Sequence, residues 1–246
     1  MASFQLGQPF HTFTMIGRCE REGLLGVCLT SSPISVGARC PFIKANVAAV
    51  STQAYSDPGL GPLALRLLEL GYSPEKTLKE MQATDEWSEY RQNGIVDRHG
   101  RSAVFTGGKN LDWKGHINGP NYVAMGNYLT SDKVVEAMAK AFVGNGKMIL
   151  EERLLRAIEA GKDAGGERGG HLSSALIVFG RDTYGRTDLR VDMYPTPSAK
   201  ADGDAVNELR RIFNEYKPLI PYYEQRPRNP LVESWRDWRK KHGGAS

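Results

Sequence analysis

Strand-like runs in this chain come in clusters, and helix-like runs come in pairs between them. That order constrains the fold more than any single motif does. "HTFTMIGR" mixes β-branched and aromatic residues with polar ones, the pattern of a strand. "CEREG" reads as a turn closed by Gly23, and "LLGVCLTSS" as the second strand of a hairpin. "ISVGARCPF" and "ANVAAVSTQAY" read as further strand, with small residues (Gly37, Ala38, Ala45, Ala48, Ala49) that permit close backbone approach. "DPGLGPLALRLLELG" turns into a helix with Leu63, Leu67 and Leu70 on one face, Leu68 extending it, and Gly71 as the stop. Ser73 then suits an N-cap with Pro74 at the first helical position, opening a second helix to about Ala83.

"RQNGIVDRHGRSAVFTG" is a hairpin whose Gly100 suits a positive φ. "GGKNLDWKGHINGPNYVAMGN" reads as a long Gly- and Asn-rich loop ending in a short strand. A helix is expected after Asp132 as N-cap, and another over "LEERLLRAIEAGKDAG". "SSALIVFG" reads as a buried strand, "TDLRVDMYP" as the last strand, and "DAVNELRRIFNEY" as an amphipathic helix. Strands, two helices, strands, two helices, strands and a helix predict α+β layers rather than a regular βαβ winding.

The 246 residues suffice for one large domain or two small ones, with a substantial core. No apolar run reaches the roughly 18 residues of a membrane helix. "MASFQLGQPFH" has neither a basic start nor a long apolar segment, so no signal peptide is read there. Three cysteines, Cys19, Cys28 and Cys40, cannot complete a disulfide framework. They read as small packed residues in a reducing compartment, and cytoplasmic residence is the expectation. The net charge is +4. Between Arg226 and Lys241 stand six Arg or Lys against two acids. Trp235 and Trp238, three apart, favour an amphipathic helix docked on the body or on a second subunit over a nucleic-acid surface. "GGKN" and "AGGERGG" lack the spacing and ending of a phosphate loop. No His or Cys spacing points to zinc, and there is no G-x-S-x-G elbow.

"TFTMIGR", "SSPISVGARCPF", "AVSTQAY", "GLGPLALRLLELG", "RQNGIVDRHGRSAVFTG", "GPNYVAMGN", "AGGERGGHLSSALIVF" and "DLRVDMYP" follow one another at set intervals. As a set they resemble the domain-of-unknown-function family 1028, over about residues 12 to 217. That family is similar to the Ntn (N-terminal nucleophile) hydrolases, which implies a four-layer αββα sandwich. It also implies an amide (C–N) bond hydrolase acting on a small amide or peptide-like substrate, with Thr12 as nucleophile and no cofactor. Here eleven residues precede Thr12. A terminal nucleophile uses its own α-amine as base, so residues 1–11 form an extension that must leave. The alternative is a non-catalytic protein of the same fold that binds a small ligand or a partner.

A threonine hydroxyl needs a nearby base, and a cation beside the α-amine would keep it neutral. Lys44 lies 32 residues after Thr12, a spacing similar to that of proteasome-type enzymes. Oxyanion donors are sought at strand ends, where Ser31, Ser32, Gln53 and Asn127 stand. His116, in the Gly-rich loop, can border a pocket, and Asp192 is a further candidate to orient a base. Residues 218–246 form a basic and aromatic tail, expected to wrap a second copy in a homodimer.

Overall fold

The computed structural model describes residues 11–194 and 204–242. All but His11 of the expected extension lies outside these residues, as does the end of the tail. The chain runs β1 (Thr12–Cys19), β2 (Leu24–Ser31), α1 (Val36–Arg39), β3 (Pro41–Lys44), β4 (Ala48–Ala54), α2 (Leu60–Glu69) and α3 (Pro74–Thr84). It continues with β5 (Arg91–Asp97), β6 (Ser102–Thr106), β7 (Gly115–Gly119), β8 (Tyr122–Gly126), α4 (Lys133–Gly144) and α5 (Leu150–Asp163). β9 (Ser173–Phe179), β10 (Gly185–Val191), α6 (Ala205–Tyr216), α7 (Ile220–Gln225) and α8 (Trp235–His242) complete it.

Two antiparallel sheets result. One has six strands in the order β10-β9-β2-β1-β8-β7, the other four in the order β3-β4-β5-β6. The period of two along β1 explains how they meet. Phe13 and Met15 point to α4, α5 and α6, joining Phe142, Leu154, Ile158 and Phe213. Ile16, on the opposite face, joins Val27, Leu29, Ala49, Val96 and Met125 between the sheets. A third cluster, with Val50, Ile95, Ala64 and Met81, lies between the four-stranded sheet and α2 with α3. Thr12 and Thr14 share the inter-sheet face of Ile16, so polar side chains enter an otherwise apolar seam at one end.

Gly17 and Gly26 are opposite each other on β1 and β2. A Cβ on Gly17 would lie 2.5 Å from the Phe142 ring, and one on Gly26 would lie 2.6 Å from Leu154. The bare backbone is what seats α4 and α5 on the sheet. Gly17→Ala is therefore expected to cost about 1–3 kcal/mol through overpacking, read as a lower urea midpoint at unchanged slope.

Four sequence expectations are corrected. Val36–Arg39 is a short helix, not strand: Ser35 has φ 58°, and the Val36 amide donates to Ser173 Oγ at 3.1 Å. That bond anchors the segment over β9 rather than along a sheet edge. The buried face of α2 is Leu60, Ala64 and Leu68, while Leu70 is 65% exposed. A fourfold spacing from Leu60 reaches the sheet, and the leucines counted from Leu63 flank it. Asp132 has helical backbone and makes no side-chain cap. Residues 115–126, read mostly as loop, form the β7–β8 hairpin. Ser73, by contrast, accepts from the Lys76 amide at 3.2 Å as an N-cap should.

All three cysteines are buried free thiols. In the tail, Trp238 folds back on the tail's own start, its indole donating to the Pro218 carbonyl at 3.2 Å, while Trp235 is 42% exposed. Among the described residues no helix is long and apolar enough to cross a membrane.

Candidate active site at the head of the first strand

Thr12 opens β1 opposite Ser31, the last residue of β2, and both are fully buried. Their hydroxyl oxygens are 3.0 Å apart. Ser31 Oγ donates to the carbonyl oxygen of His11 at 2.7 Å. A serine hydroxyl carries one proton, so in the Thr12–Ser31 pair the threonine is the donor. The Ser32 amide adds a second donor to the His11 carbonyl at 3.3 Å. The carbonyl of the peptide bond preceding Thr12 thus faces two donors, and the Thr12 hydroxyl feeds one of them.

Beneath this lies a polar chain in the seam. The Thr12 carbonyl accepts from the Asn127 amide at 3.1 Å and from Gln53 Nε2 at 3.1 Å. Asn127 Nδ2 stands 3.4 Å from the same oxygen. Gln53 Oε1 accepts from Thr14, and Gln53 Nε2 also donates to Gln92 Oε1 at 2.7 Å. Gln92 Nε2 reaches the Gly126 carbonyl and Thr106 Oγ1, both at 2.9 Å. Thr106 Oγ1 lies 2.8 Å from His116 Nδ1. Gln53 and Asn127 are followed by Ala54 and Tyr128, non-glycine residues with φ of 69° and 55°. Such backbone persists where the surroundings over-determine it, as they do here.

Of the residues singled out from sequence, Ser31, Ser32, Gln53 and Asn127 converge on His11 and Thr12. His116 is on β7, not in a loop, and among the described residues it connects to the site through Thr106 and Gln92; partial burial of its ring lowers its pKa. Lys44 does not join them. It is exposed, pairs with Glu69 at 2.6 Å, and sits opposite Ala48, at the far end of β4 from Gln53. Five strand residues make that roughly 17 Å. The Asp192 side chain is exposed, and its carbonyl accepts from the Ser35 amide at 2.8 Å.

The glycine-rich stretch after α5 roofs the site. A Cβ on Gly169 would lie 2.7 Å from Ser32 and 3.2 Å from His11 Nδ1. The Leu172 amide donates to the Ser31 carbonyl at 2.9 Å, fixing the stretch against β2. It buries Glu167, and neither carboxyl oxygen has a partner of ordinary hydrogen-bond geometry. Burial pushes this carboxyl well above its usual range, with Ser32 acting in the opposite direction. His171 packs edge-on to Phe13 at 5.4 Å, and burial brings its pKa down to about 4. Glu167 stays protonated in the fold where an unfolded chain has lost that proton. Stability therefore falls as pH rises through the interval between its unfolded and folded pKa values. Glu167→Gln is expected to flatten that fall, with a smaller drop in melting temperature between pH 5 and pH 8 than in the parent.

Among the described residues no group of three or more His, Cys, Asp or Glu is placed to hold a metal ion. The model of a family of unknown function, DUF1028, matches residues 12–201. The chain belongs to the DUF1028 family. The DUF1028 match begins on Thr12 itself, the residue around which the donors gather. A crystal structure of a DUF1028 protein from Silicibacter pomeroyi is similar at 28% identity and a TM-score of 0.76, over 84% of this chain and 86% of that one. Anbu, an ancestral beta-subunit from Yersinia bercovieri, aligns at 10% identity and a TM-score of 0.40, over 90% of this chain and all (100%) of its own. None of the curated proteins matches. In this DUF1028 chain, sequence reasoning missed Thr14, Gln92 and Glu167. The glycines of "AGGERGG" permit close backbone approach, and that approach is what buries Glu167.

Proposed function

We propose that this DUF1028 protein is an amide hydrolase of the N-terminal nucleophile type, its two sheets and flanking helices forming a four-layer αββα sandwich. Thr12 is its nucleophile, and cleavage of the His11–Thr12 bond frees the α-amine. One observation carries the reading: two donors hold the His11 carbonyl oxygen while the Thr12 hydroxyl donates into one of them.

The chemistry follows from that arrangement. Thr12 Oγ attacks the His11 carbonyl carbon and passes its proton to Ser31. Ser31 passes its own proton to the carbonyl oxygen as negative charge develops there. The intermediate collapses, that proton returns through the relay, and the C–N bond breaks with the nitrogen taking it up. Water then hydrolyses the ester between the His11 acyl group and Thr12 Oγ. The released amine titrates near pH 8, roughly, and serves as base for the same hydroxyl against small amide or peptide-like substrates. Lys44 has no part in this mechanism.

Intact-mass and N-terminal sequencing of purified protein test the reading. A chain starting at Thr12 is expected, and Ser31→Ala should slow its appearance by about 10²-fold or more, the loss of one oxyanion donor. An uncut chain that turns over amides would exclude the α-amine as base. An uncut chain without turnover favours the second reading, a non-catalytic binding protein, which the full burial of Thr12 beside an intact peptide bond supports. A homodimer through the tail belongs to the proposal. It is supported by exposed Leu231 (90%) and Trp235 (42%) on that segment and is read by light scattering.

A further inference from the structure

We propose that the cavity at the turn end of β1 binds a small molecule carrying two negative charges on a compact apolar body. It is an open cleft of 490 Å³, within the range of small-ligand sites, and lies between the β1–β2 turn, the β7–β8 turn and the α4–α5 connection. Arg18 and Arg153 line it. Arg18 Nη1 donates to the neutral Asn121 side chain at 2.8 Å. Arg153 stacks over the Phe142 ring at 4.0 Å, and its Nε donates to the Phe142 carbonyl at 3.4 Å. Neither arginine has a carboxylate partner among the described residues.

Two other cavities differ in this respect. In one of 480 Å³, Arg186 faces Glu22, Glu151 and Glu224, and Arg228 faces Asp182. In one of 540 Å³, Lys44 faces Glu69 and Arg101 faces Asp97. Arg181 and Arg98, the remaining arginines there, are exposed to water. Arg18 and Arg153 are half-buried, where an unanswered charge is costly and an incoming anion is favoured. At the rim Arg21, which pairs with Glu22 at 2.7 Å, and the exposed Glu20 carry opposite charges, so the preference for an anion rests on Arg18 and Arg153. Burial holds the Arg153 pKa below its ordinary value, and Arg21 acts the same way. Two unanswered guanidinium groups match a dianion. Phe142, Tyr122 and the 58%-exposed Val143 supply the apolar wall. Six residues of β1 separate Arg18 from Thr12, roughly 20 Å, so this site is distinct from the candidate active site.

Isothermal titration of the full chain at low salt tests it, with phenyl phosphate and succinate as probes. Saturable one-to-one binding of at least one probe is expected. Arg153→Gln and Arg18→Gln should each weaken it about tenfold or more, and Lys44→Gln should leave it unchanged. Preference for phenyl phosphate would assign the ligand as a phosphate ester, and preference for succinate as a dicarboxylate. Melting temperatures of the variants, and Arg153→Lys, which keeps charge and stem but loses the planar fork, separate site loss from misfolding. Absence of saturable binding of either probe up to about 10 mM would overturn the proposal, as would equal binding by parent and both glutamine variants.

Discussion

Thr12→Ala is expected to leave the chain uncut and to abolish amide turnover. On the proposed mechanism one hydroxyl performs two reactions, so its removal affects both. Loss of a nucleophile in an acyl-transfer site lowers rate by at least about 10³-fold. For the self-cleavage Ser31 is no ready substitute, because it already gives its proton to the His11 carbonyl. The substitution is small, and the fold should survive it, since only the bond to Ser31 and whatever else Thr12 touches are lost. Mass spectrometry reads the first effect and an amide panel the second. Thr12→Ser, which keeps the hydroxyl, should retain both. A Thr12→Ala chain that still begins at residue 12 would show that another protease does the cutting.

Gln92→Leu is expected to carry the largest stability loss, about 3–5 kcal/mol. The two side chains are close in volume, so no large cavity forms. The loss comes instead from polar groups left facing hydrocarbon. Gln53 Nε2 and Asn127 Nδ2 lose the acceptor Gln92 Oε1, and the Gly126 carbonyl loses a donor. Each buried group left unmet costs roughly 1–3 kcal/mol. For a chain of this size the melting temperature should fall by roughly 10 °C. A loss below about 1 kcal/mol would mean that water or neighbouring side chains replace the missing partner, and that the network does not lock the two sheets. The same variant should slow self-cleavage, because Gln53 and Asn127 hold the Thr12 carbonyl through this residue.

The sequence pattern was most legible where local chemistry decides structure. The β1–β2 hairpin, the Ser73 cap and the α5 helix follow from alternation, capping and periodicity. It was least legible where distant segments decide. "ISVGAR" has strand composition, yet a bond from Val36 to Ser173, 137 residues away, holds it as a helical turn. Lys44 had the right separation from Thr12 along the chain and the wrong end of the strand in space. Gln92 looked like any strand-end polar residue, and its importance arises only when β4, β5 and β8 meet. Glu167 sat in a stretch whose glycines signalled close approach, but what it would approach was not written there. Ser31, Ser32, Gln53 and Asn127 were legible because each is an uncharged donor at a strand end, and strand ends of paired sheets share a rim.

The pairing of Thr12 with Ser31 has one more consequence. The proton relay exists only when the first hairpin is in register, because a slip of one residue turns the serine to the opposite face. On the proposed chemistry, scission is then conditional on tertiary assembly: a denatured or mispaired polypeptide keeps its leader. The mature terminus becomes a permanent record that the molecule once folded correctly.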